Sequence, residues 1–405
     1  MPNATDVLNK NQLRSDLAIS VNLQLDGFYN PLMEIREKED GISMTLTITT
    51  GTRPEIIKLY PVMRLLDLKG INYKFIHTGQ HYDYEMSVKF IEEFGLRKPD
   101  YNIVLSSLEP SIQISEIIHK LTYFLQDFDA TLVVVQGDTN SVLASALAAL
   151  KSDIPIAHIE AGLRSIDWRS AEEHNRRIVD VISHILFAPS EEAEWNLKKE
   201  HLPGDIYFVG NTVLDTVRLS LESPRITVKE EIDINENEFV LVTLHRSENV
   251  DNPDTIKNIL MALSDSGLDI IYPMHPRTSK NIQKFGLERN IAPKLRVTQP
   301  IGYLEFLRLL KKCKYVITDS GGVQEEITSP FINKYALVLR NFTERPESLK
   351  SGHALLCPSL EYNRIIDAIT KMESLGDPKK VNSPYGCGNS AEKIVDILEN
   401  ENWIS

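Results

Sequence analysis

From Met44 onward, short β-branched and aliphatic runs alternate with longer stretches whose apolar positions recur at helical spacing. Leu46–Thr50 precedes a helical pattern over Pro54–Lys69 that stops at Gly70, and Lys74–His77 precedes one that stops at Gly95. Thr131–Gln136 leads into Ser141–Lys151, and Pro155–Ile159 leads into a helix near Glu172–Ile182. Ile185–Ala188 and Ile206–Val209 continue the series, and a second one runs through Phe239–Leu244, Ile270–Met274, Leu295–Val297, Tyr315–Thr318 and Tyr335–Leu339. Strands alternating with helices imply parallel sheets covered on both faces. Two series imply an α/β chain of two doubly wound domains, with the acidic stretch Lys229–Glu238 as their connection or an exposed edge near it. Residues 1–43 are polar and stand outside this pattern. A methionine directly precedes the first core strand, so the working fold is expected to begin near Met44, with the leader an appendage.

Composition narrows the partners. The 405 residues suit two or three domains at about 150 residues each. A net charge of -13 argues against a nucleic acid or an anionic membrane as partner, yet one local basic pocket can still hold an anionic small molecule. Cys313, Cys357 and Cys387 are scattered without metal spacing and fit a reducing, cytoplasmic setting. No apolar run approaches the roughly 18 residues of a membrane span, and the N-terminus lacks the features of a secretory signal.

In open parallel sheets, ligands bind beyond the carboxyl ends of the strands. Gly51-Thr52-Arg53-Pro54-Glu55 follows the first strand and opens a helix, an anion site with Arg53 and Lys58 nearby, or else an ordinary turn. Asp138 emerges after Val133-Val134-Val135, and Thr139, Asn140 or Ser141 can cap the next helix in its place. Glu160, between Ile159 and Ala161-Gly162, is poorly explained as a solvated residue. Ser170 and Glu173 fit a capping box, which leaves Glu172 free to share a face with Arg176, while Arg177 is expected to be solvated. His245-Arg246 and His275-Pro276-Arg277 stand at consecutive strand ends and suggest phosphate recognition. Asp319-Ser320-Gly321-Gly322 is the strongest local signal, a small Gly-rich turn whose N–H groups can hold a diphosphate. The first turn lacks the dinucleotide fingerprint and this one lacks the P-loop lysine, which disfavours nicotinamide cofactors and P-loop phosphoryl transfer. No Cys/His cluster suggests a metal.

Taken in order, Gly51–Lys58, Thr78–His81, Gln136–Thr139, His158–Arg164, Glu172–Arg176, Gly210–Asp215, Thr243–Asn249, Asp319–Glu326, Thr343–Glu347 and Pro384–Gly386 resemble the non-hydrolysing UDP-N-acetylglucosamine 2-epimerase family. The resemblance covers Met44 to the end. It implies two Rossmann-like domains facing a cleft, as in B-type glycosyltransferases: residues 44–212 carrying the carboxylates, 213–387 binding UDP, and 388–405 as a helix packing back on the first domain. It implies a homodimer without cofactor or metal that acts on a UDP-sugar and serves polysaccharide biosynthesis. The implied chemistry is loss of the C2 proton and of UDP, a 2-acetamidoglycal intermediate, and re-addition. By match to the motifs, Asp138, Glu160 and Glu172 are the acid/base candidates and His245 sits near the leaving phosphate. Arg53, Lys58, Arg176, Arg246, Asn249, His275, Phe306, Ser320, Gly321, Gly322, Glu326 and Arg345 bind UDP or sugar. Gln80 and His81 match a possible activating site.

Ala171 replaces the usual proline before the glutamate pair, and Ser329–Tyr335 departs from the usual loop. A sister epimerase on a modified UDP-sugar shares the same motifs, and a hydrolysing epimerase differs only in its product. A glycosyltransferase of this fold does not need three carboxylates at these positions, and a nucleotide-sugar sensor does not need them either.

Overall fold

The computed structural model describes residues 44–80, 90–165, 168–223, 236–376, 378 and 382–404. The expectations for residues 1–43, for His81 and for most of Lys229–Glu238 fall outside the described residues. From Met44 to Ser405 the chain is one compact unit.

The first sheet holds β1 (Leu46–Thr50), β2 (Tyr73–His77), β3 (Tyr101–Asn102), β4 (Leu132–Gln136), β5 (Ile156–Ile159), β6 (Ile185–Ala188) and β7 (Asp205–Phe208), in the order β3-β2-β1-β4-β5-β6-β7. The second holds β8 (Val240–Thr243), β9 (Ile270–Pro273), β10 (Leu295–Thr298), β11 (Tyr315–Thr318), β12 (Tyr335–Leu339) and β13 (Ala354–Cys357), in the order β10-β9-β8-β11-β12-β13. Every pairing is parallel. In both sheets the strand order reverses beside the first strand, between β1 and β4 and between β8 and β11. A crevice opens at such a switch point, beyond the carboxyl ends. The doubly wound α/β class expected from the alternation is therefore observed twice.

The pattern follows from burial. Val133, Val134 and Val135 are covered on both faces, which is why the run is continuous rather than alternating. Val142, Ala144, Ala146, Ala148 and Ala149 of helix Asn140–Lys151 join Ile117, Leu121 and Leu125 of helix Pro110–Asp127 in one core, the alanines allowing close approach. Tyr272, Val240, Val242 and Ile256 anchor the core of the second sheet. Some elements lie outside the sequence pattern, among them β3, only two residues long, β13 (Ala-Leu-Leu-Cys), without a β-branched residue, and helix Pro110–Asp127, which opens on a proline with Glu109 as its cap.

The chain's last helix, Ser390–Asn400, returns to pack on helices Arg53–Lys69 and Thr212–Glu222. Its own N-cap, Asn389, makes no side-chain cap bond. The buried Asp215 carboxylate, from helix Thr212–Glu222, accepts from the N–H of Ser390 at 3.1 Å and of Ala391 at 3.0 Å instead. Burial lifts the Asp215 carboxyl to about 6, against the pull of those two N–H groups. The native state thus holds a proton there that the unfolded chain releases near its ordinary value of 3.8. This contribution is full below the unfolded value and is lost as pH rises through about 6. We predict that Asp215→Ala costs about 1–3 kcal/mol at pH 4.5, because it orphans two buried donors. The gap to the parent narrows by roughly 2 kcal/mol at pH 7.5. Denaturant titration at the two pH values measures it, and a pH-independent gap refutes the buried-proton account.

Candidate active site

The first-sheet edge of the crevice is built by the β1 and β4 turns. A Cβ on Gly51 would stand 1.9 Å from Ser141 Oγ, so the turn lies directly on helix Asn140–Lys151. Glu55 accepts from Gly51 N at 2.6 Å and from Thr52 Oγ1 and Thr139 Oγ1 at 2.8 Å each, tying the two turns together. Burial lifts its carboxyl to about 7 despite these bonds. Arg53 lies over the Phe90 ring at 4.0 Å, while Lys58, one turn further on, points into a buried cluster of charges. Gln80 Oε1 accepts from Ser141 N at 2.8 Å at the start of helix Asn140–Lys151.

Asp138 and Glu160 stand just beyond adjacent strands, with Gln136 in register with Ile159. His158 binds the two strand-end loops together, its Nε2 2.8 Å from Gly137 O and its Nδ1 2.8 Å from Asp180 Oδ1. Asp180 also accepts from Gly162 N and Arg164. As expected, Thr139 rather than Asp138 caps the following helix, accepting from Val142 N. Asp138 instead receives Arg176, whose other nitrogen binds Glu173 at 2.6 Å.

This corrects three expectations about helix Ala171–Ile182. Ser170 makes no side-chain cap bond; its hydroxyl donates to Glu172 at 2.6 Å. Arg176 therefore pairs with Glu173 and Asp138, and Glu172 is exposed. Arg177 is ion-paired with Glu173 and Glu200 rather than simply solvated. The physical reason is that Glu173 faces inward and also accepts from Ser165 N, so the two arginines converge on it.

Glu160 has φ +73°, the left-handed region where a non-glycine residue is strained. The N–H groups of Glu160 and Ala161 both donate to Phe187 O at 3.1 Å, which holds the turn. Its buried carboxylate meets Lys58 Nζ at 2.6 and 2.7 Å, Gln136 Nε2, and Arg345 Nη2 at 3.3 Å. Lys58 is also 2.9 Å from Glu325 Oε2, and Arg345 Nε pairs with Glu325 Oε1. Two buried cations thus each touch the same two buried carboxylates. Burial pulls the Lys58 ammonium down, but Glu160 and Glu325 outweigh it and raise its pKa. Glu160 is raised by burial, opposed by Lys58. Glu325, also pushed up by burial, ends lowered because Arg345 and Lys58 outweigh that effect.

On the second-sheet edge, the buried Asp319 carboxylate receives the N–H of His245 (3.1 and 3.0 Å) and of Arg246 (2.9 Å), and Asn249 Nδ2 at 2.9 Å. His245 Nδ1 lies 3.2 Å from Asp319 Oδ1, so the rest of its half-exposed ring faces outward. The His275 ring stands 6.1 Å away, its Nδ1 accepting from Arg277 N. Burial lowers the His275 pKa, with the His245, Arg53 and Arg277 charges adding to the effect. The charge of Arg53 on the first edge is thus felt at His275 on the second. Arg277, expected to help bind phosphate, is tied to Asp251.

Ser320 caps helix Gly321–Glu326. Among the described residues nothing crowds a Cβ at Gly321 or Gly322, where the nearest atoms are Arg345 Cζ and Ser320 Oγ at 3.9 Å. Packing among the described residues requires neither glycine. Glu326 accepts from Tyr303 OH at 2.9 Å, has one oxygen unpartnered, and is lifted to about 7 by burial. Phe306 is half-buried one turn into helix Tyr303–Lys312. Glu325, Asp319 and Gln136 stood in motifs that the sequence marked but were given no role of their own, and Glu173 was expected only to serve the helix end. Among the described residues, no group of three or more His, Cys, Asp and Glu side chains could hold a metal ion, and no helix is long and apolar enough to cross a membrane.

A family model for UDP-N-acetylglucosamine 2-epimerase matches residues 64–399. A Methanocaldococcus jannaschii UDP-N-acetylglucosamine 2-epimerase is 40% identical over 369 residues, which cover 88% of this chain and 99% of that relative. A Pseudomonas aeruginosa UDP-2,3-diacetamido-2,3-dideoxy-D-glucuronate 2-epimerase is 33% identical over 363 residues, with coverage of 88% and 99%. The crystal structure of the M. jannaschii UDP-GlcNAc 2-epimerase in complex with UDP-GlcNAc and UDP aligns at TM-score 0.78 and 39% identity, covering 88% of this chain and all of that one. Phytolacca americana UGT2, at 11% identity and TM-score 0.55, shares the two-domain fold alone. With its paired Rossmann-like sheets and these similarities over most of its length, the chain belongs to the UDP-N-acetylglucosamine 2-epimerase family.

Proposed function

We propose that this chain reversibly converts UDP-N-acetylglucosamine to UDP-N-acetylmannosamine without net hydrolysis. The observation that carries this reading is the placement of Asp138 and Glu160 at adjacent strand ends, with Glu160 linked through Lys58 and Arg345 to Glu325 of the helix that the uncrowded Ser320-Gly321-Gly322 turn opens. A carboxylate takes the C2 proton, the C2–H electron pair forms the C1=C2 bond, and the C1–O bond breaks as UDP leaves. UDP then re-adds to C1 while a proton is delivered to the other face of C2. Atoms and charge balance without a redox cofactor.

In this reading residues 44–212 supply the acid/base groups Asp138, Glu160 and Glu172. Residues 213–387 grip UDP through Arg246, Asn249, His275, Phe306, Ser320, Gly321, Gly322, Glu326 and Arg345. Residues 388–405 fasten the two, and Arg53, Lys58 and Arg176 add positive charge. His245, its ring fixed by Asp319, stabilises charge growing on the departing diphosphate. The enzyme acts as a cytoplasmic homodimer supplying a sugar nucleotide for polysaccharide synthesis. The similarity to the P. aeruginosa diacetamido-glucuronate epimerase favours one second reading, a substituted UDP-sugar as substrate; assays on both sugars separate the two.

The elimination predicts solvent hydrogen at C2. Substrate recovered from D2O should carry deuterium there, and epimerisation without it refutes the scheme. Asp138→Asn and Glu172→Gln should each keep UDP binding and lose about 100–10,000-fold in turnover, and Glu160→Gln should lose as much while also melting lower, because it leaves Lys58 and Arg345 unbalanced. Carboxamide variants with near-normal rates remove those residues from the reaction.

Gly321→Ala should melt at or above the parent temperature, since its Cβ meets only ordinary contacts. Its UDP affinity, read by calorimetry, should fall at least about tenfold, because the added methyl group would push the diphosphate off the turn's N–H groups at the cost of about one hydrogen bond. Unchanged affinity would show that UDP does not lie against this turn.

A chain beginning at Met44 should stay soluble and active. The first core strand starts at Leu46, and 88% of the chain matches 99% of the M. jannaschii relative. Loss of activity on truncation, measured with UDP-N-acetylglucosamine, would make residues 1–43 part of the working protein.

A further inference from the structure

Glu325 has no role in the chemistry above, yet it is fully buried and touches both cations that hold Glu160. Its neighbour Glu326 faces the other way, toward Tyr303. A buried carboxylate is costly to desolvate. Its placement on the far side of the same two cations therefore needs a reason beyond neutralising charge at large.

We propose that Glu325 is a positioning residue for the epimerisation: by drawing Lys58 and Arg345 partly away from Glu160, it keeps the Glu160 carboxylate able to accept a proton. The inference rests on the acid/base reading of Glu160.

The geometry sets the competition. Lys58, from helix Arg53–Lys69, lies 2.6 Å from Glu160 and 2.9 Å from Glu325. Arg345, at the start of helix Pro346–Lys350, places Nη2 3.3 Å from Glu160 and commits Nε to Glu325. Gln136, at the end of β4, adds a neutral donor to Glu160. Tyr385 and Glu344 act on Arg345, and the charges of Lys58 and Glu325 are felt at Glu326 although it turns toward Tyr303. Two cations against two carboxylates leave the cluster neutral. Against Glu160 alone they would clamp it as a carboxylate, and a fully stabilised carboxylate is a poor base. The opposite shifts of the two glutamates, Glu325 lowered and Glu160 raised, agree with this division.

The test is the pH dependence of kcat and KM for UDP-N-acetylglucosamine in the parent, Glu325→Gln and Glu325→Asp enzymes. In Glu325→Gln both cations turn to Glu160, so it stays ionised to lower pH. The rising limb of kcat should move down by at least about one pH unit, and plateau kcat should fall roughly tenfold or more, while KM changes less than about threefold. Glu325→Asp keeps the charge but withdraws it slightly, and should shift the limb the same way by less. A merely structural role lowers active protein without moving the limb. An unshifted limb in Glu325→Gln, or an equal shift in both variants, overturns the proposal. Should Glu325→Gln fail to fold by thermal melt, an unshifted limb in the charge-retaining Glu325→Asp overturns it alone. Glu160→Gln, run in parallel, separates the two failures. Turnover surviving in Glu160→Gln sinks the acid/base reading itself, whereas an inactive Glu160→Gln beside an unshifted Glu325→Gln sinks only the role of Glu325.

Discussion

Four charges with almost no solvent access, Lys58, Glu160, Glu325 and Arg345, meet where the two sheets face each other. Buried ions are tolerated only when each is matched, and removing one member of such a set typically costs about 3–5 kcal/mol. The four come from helix Arg53–Lys69, the turn after β5, helix Gly321–Glu326 and the cap of helix Pro346–Lys350. Those elements cannot shift independently without exposing an unmatched charge. The strained backbone of Glu160 belongs to the same constraint, since φ +73° turns its carboxylate from the strand end into the cluster.

Around this centre, each edge of the crevice is shaped by a buried carboxylate acting on main-chain N–H groups. Glu55 collects Gly51 N and two hydroxyls, and Asp319 collects the N–H groups of His245 and Arg246. Asp215 does the same for the returning C-terminal helix. These acids determine where the strand-end loops point, and the loops carry the residues assigned to the reaction. The acidic composition of the chain is thus compatible with holding an anion: many of its carboxylates face inward onto backbone or arginine, and Arg53, His245 and His275 are left near the opening.

The fold was legible because strands buried on both faces read as continuous apolar runs, and both series repeat that signal. Very short or unbranched strands, such as Tyr101–Asn102 and Ala354–Cys357, carry no such signal. The strand-end rule located the Asp138, Glu160, His245 and Ser320 loops. It could not tell which of two adjacent glutamates faces in. At Glu172-Glu173 the helical capping pattern suggested that Glu173 served the helix end, whereas Glu173 gathers Arg176, Arg177 and Ser165 N. At Glu325-Glu326 only the second was singled out, and both proved buried. A helix turns about 100° per residue, so neighbours in sequence face different partners, and partners far along the chain are not written in local spacing.

The two best-placed carboxylates occupy unlike surroundings, and this bears on how a proton could cross from one face of a sugar to the other. Glu160 is sealed among ions and a glutamine. Asp138 is more open, with 27% of its side chain exposed and one oxygen held by Arg176. Removal and return on opposite faces of one carbon require two groups approaching from different directions, and a single carboxylate would return the proton to the face it came from. Adjacent parallel strands supply such a pair, because their ends lie side by side while the turns beyond them diverge. Here Gly137 carries one turn toward helix Ala171–Ile182, and the left-handed Glu160 carries the other toward Lys58. An ordinary right-handed or extended conformation at residue 160 would point its carboxylate elsewhere, so the strain there is an integral part of the divergence. The more exposed group can exchange its proton with water directly, whereas the sealed group has little access to water. In the proposed reaction, solvent hydrogen would then enter the product preferentially through the Asp138 side of the crevice.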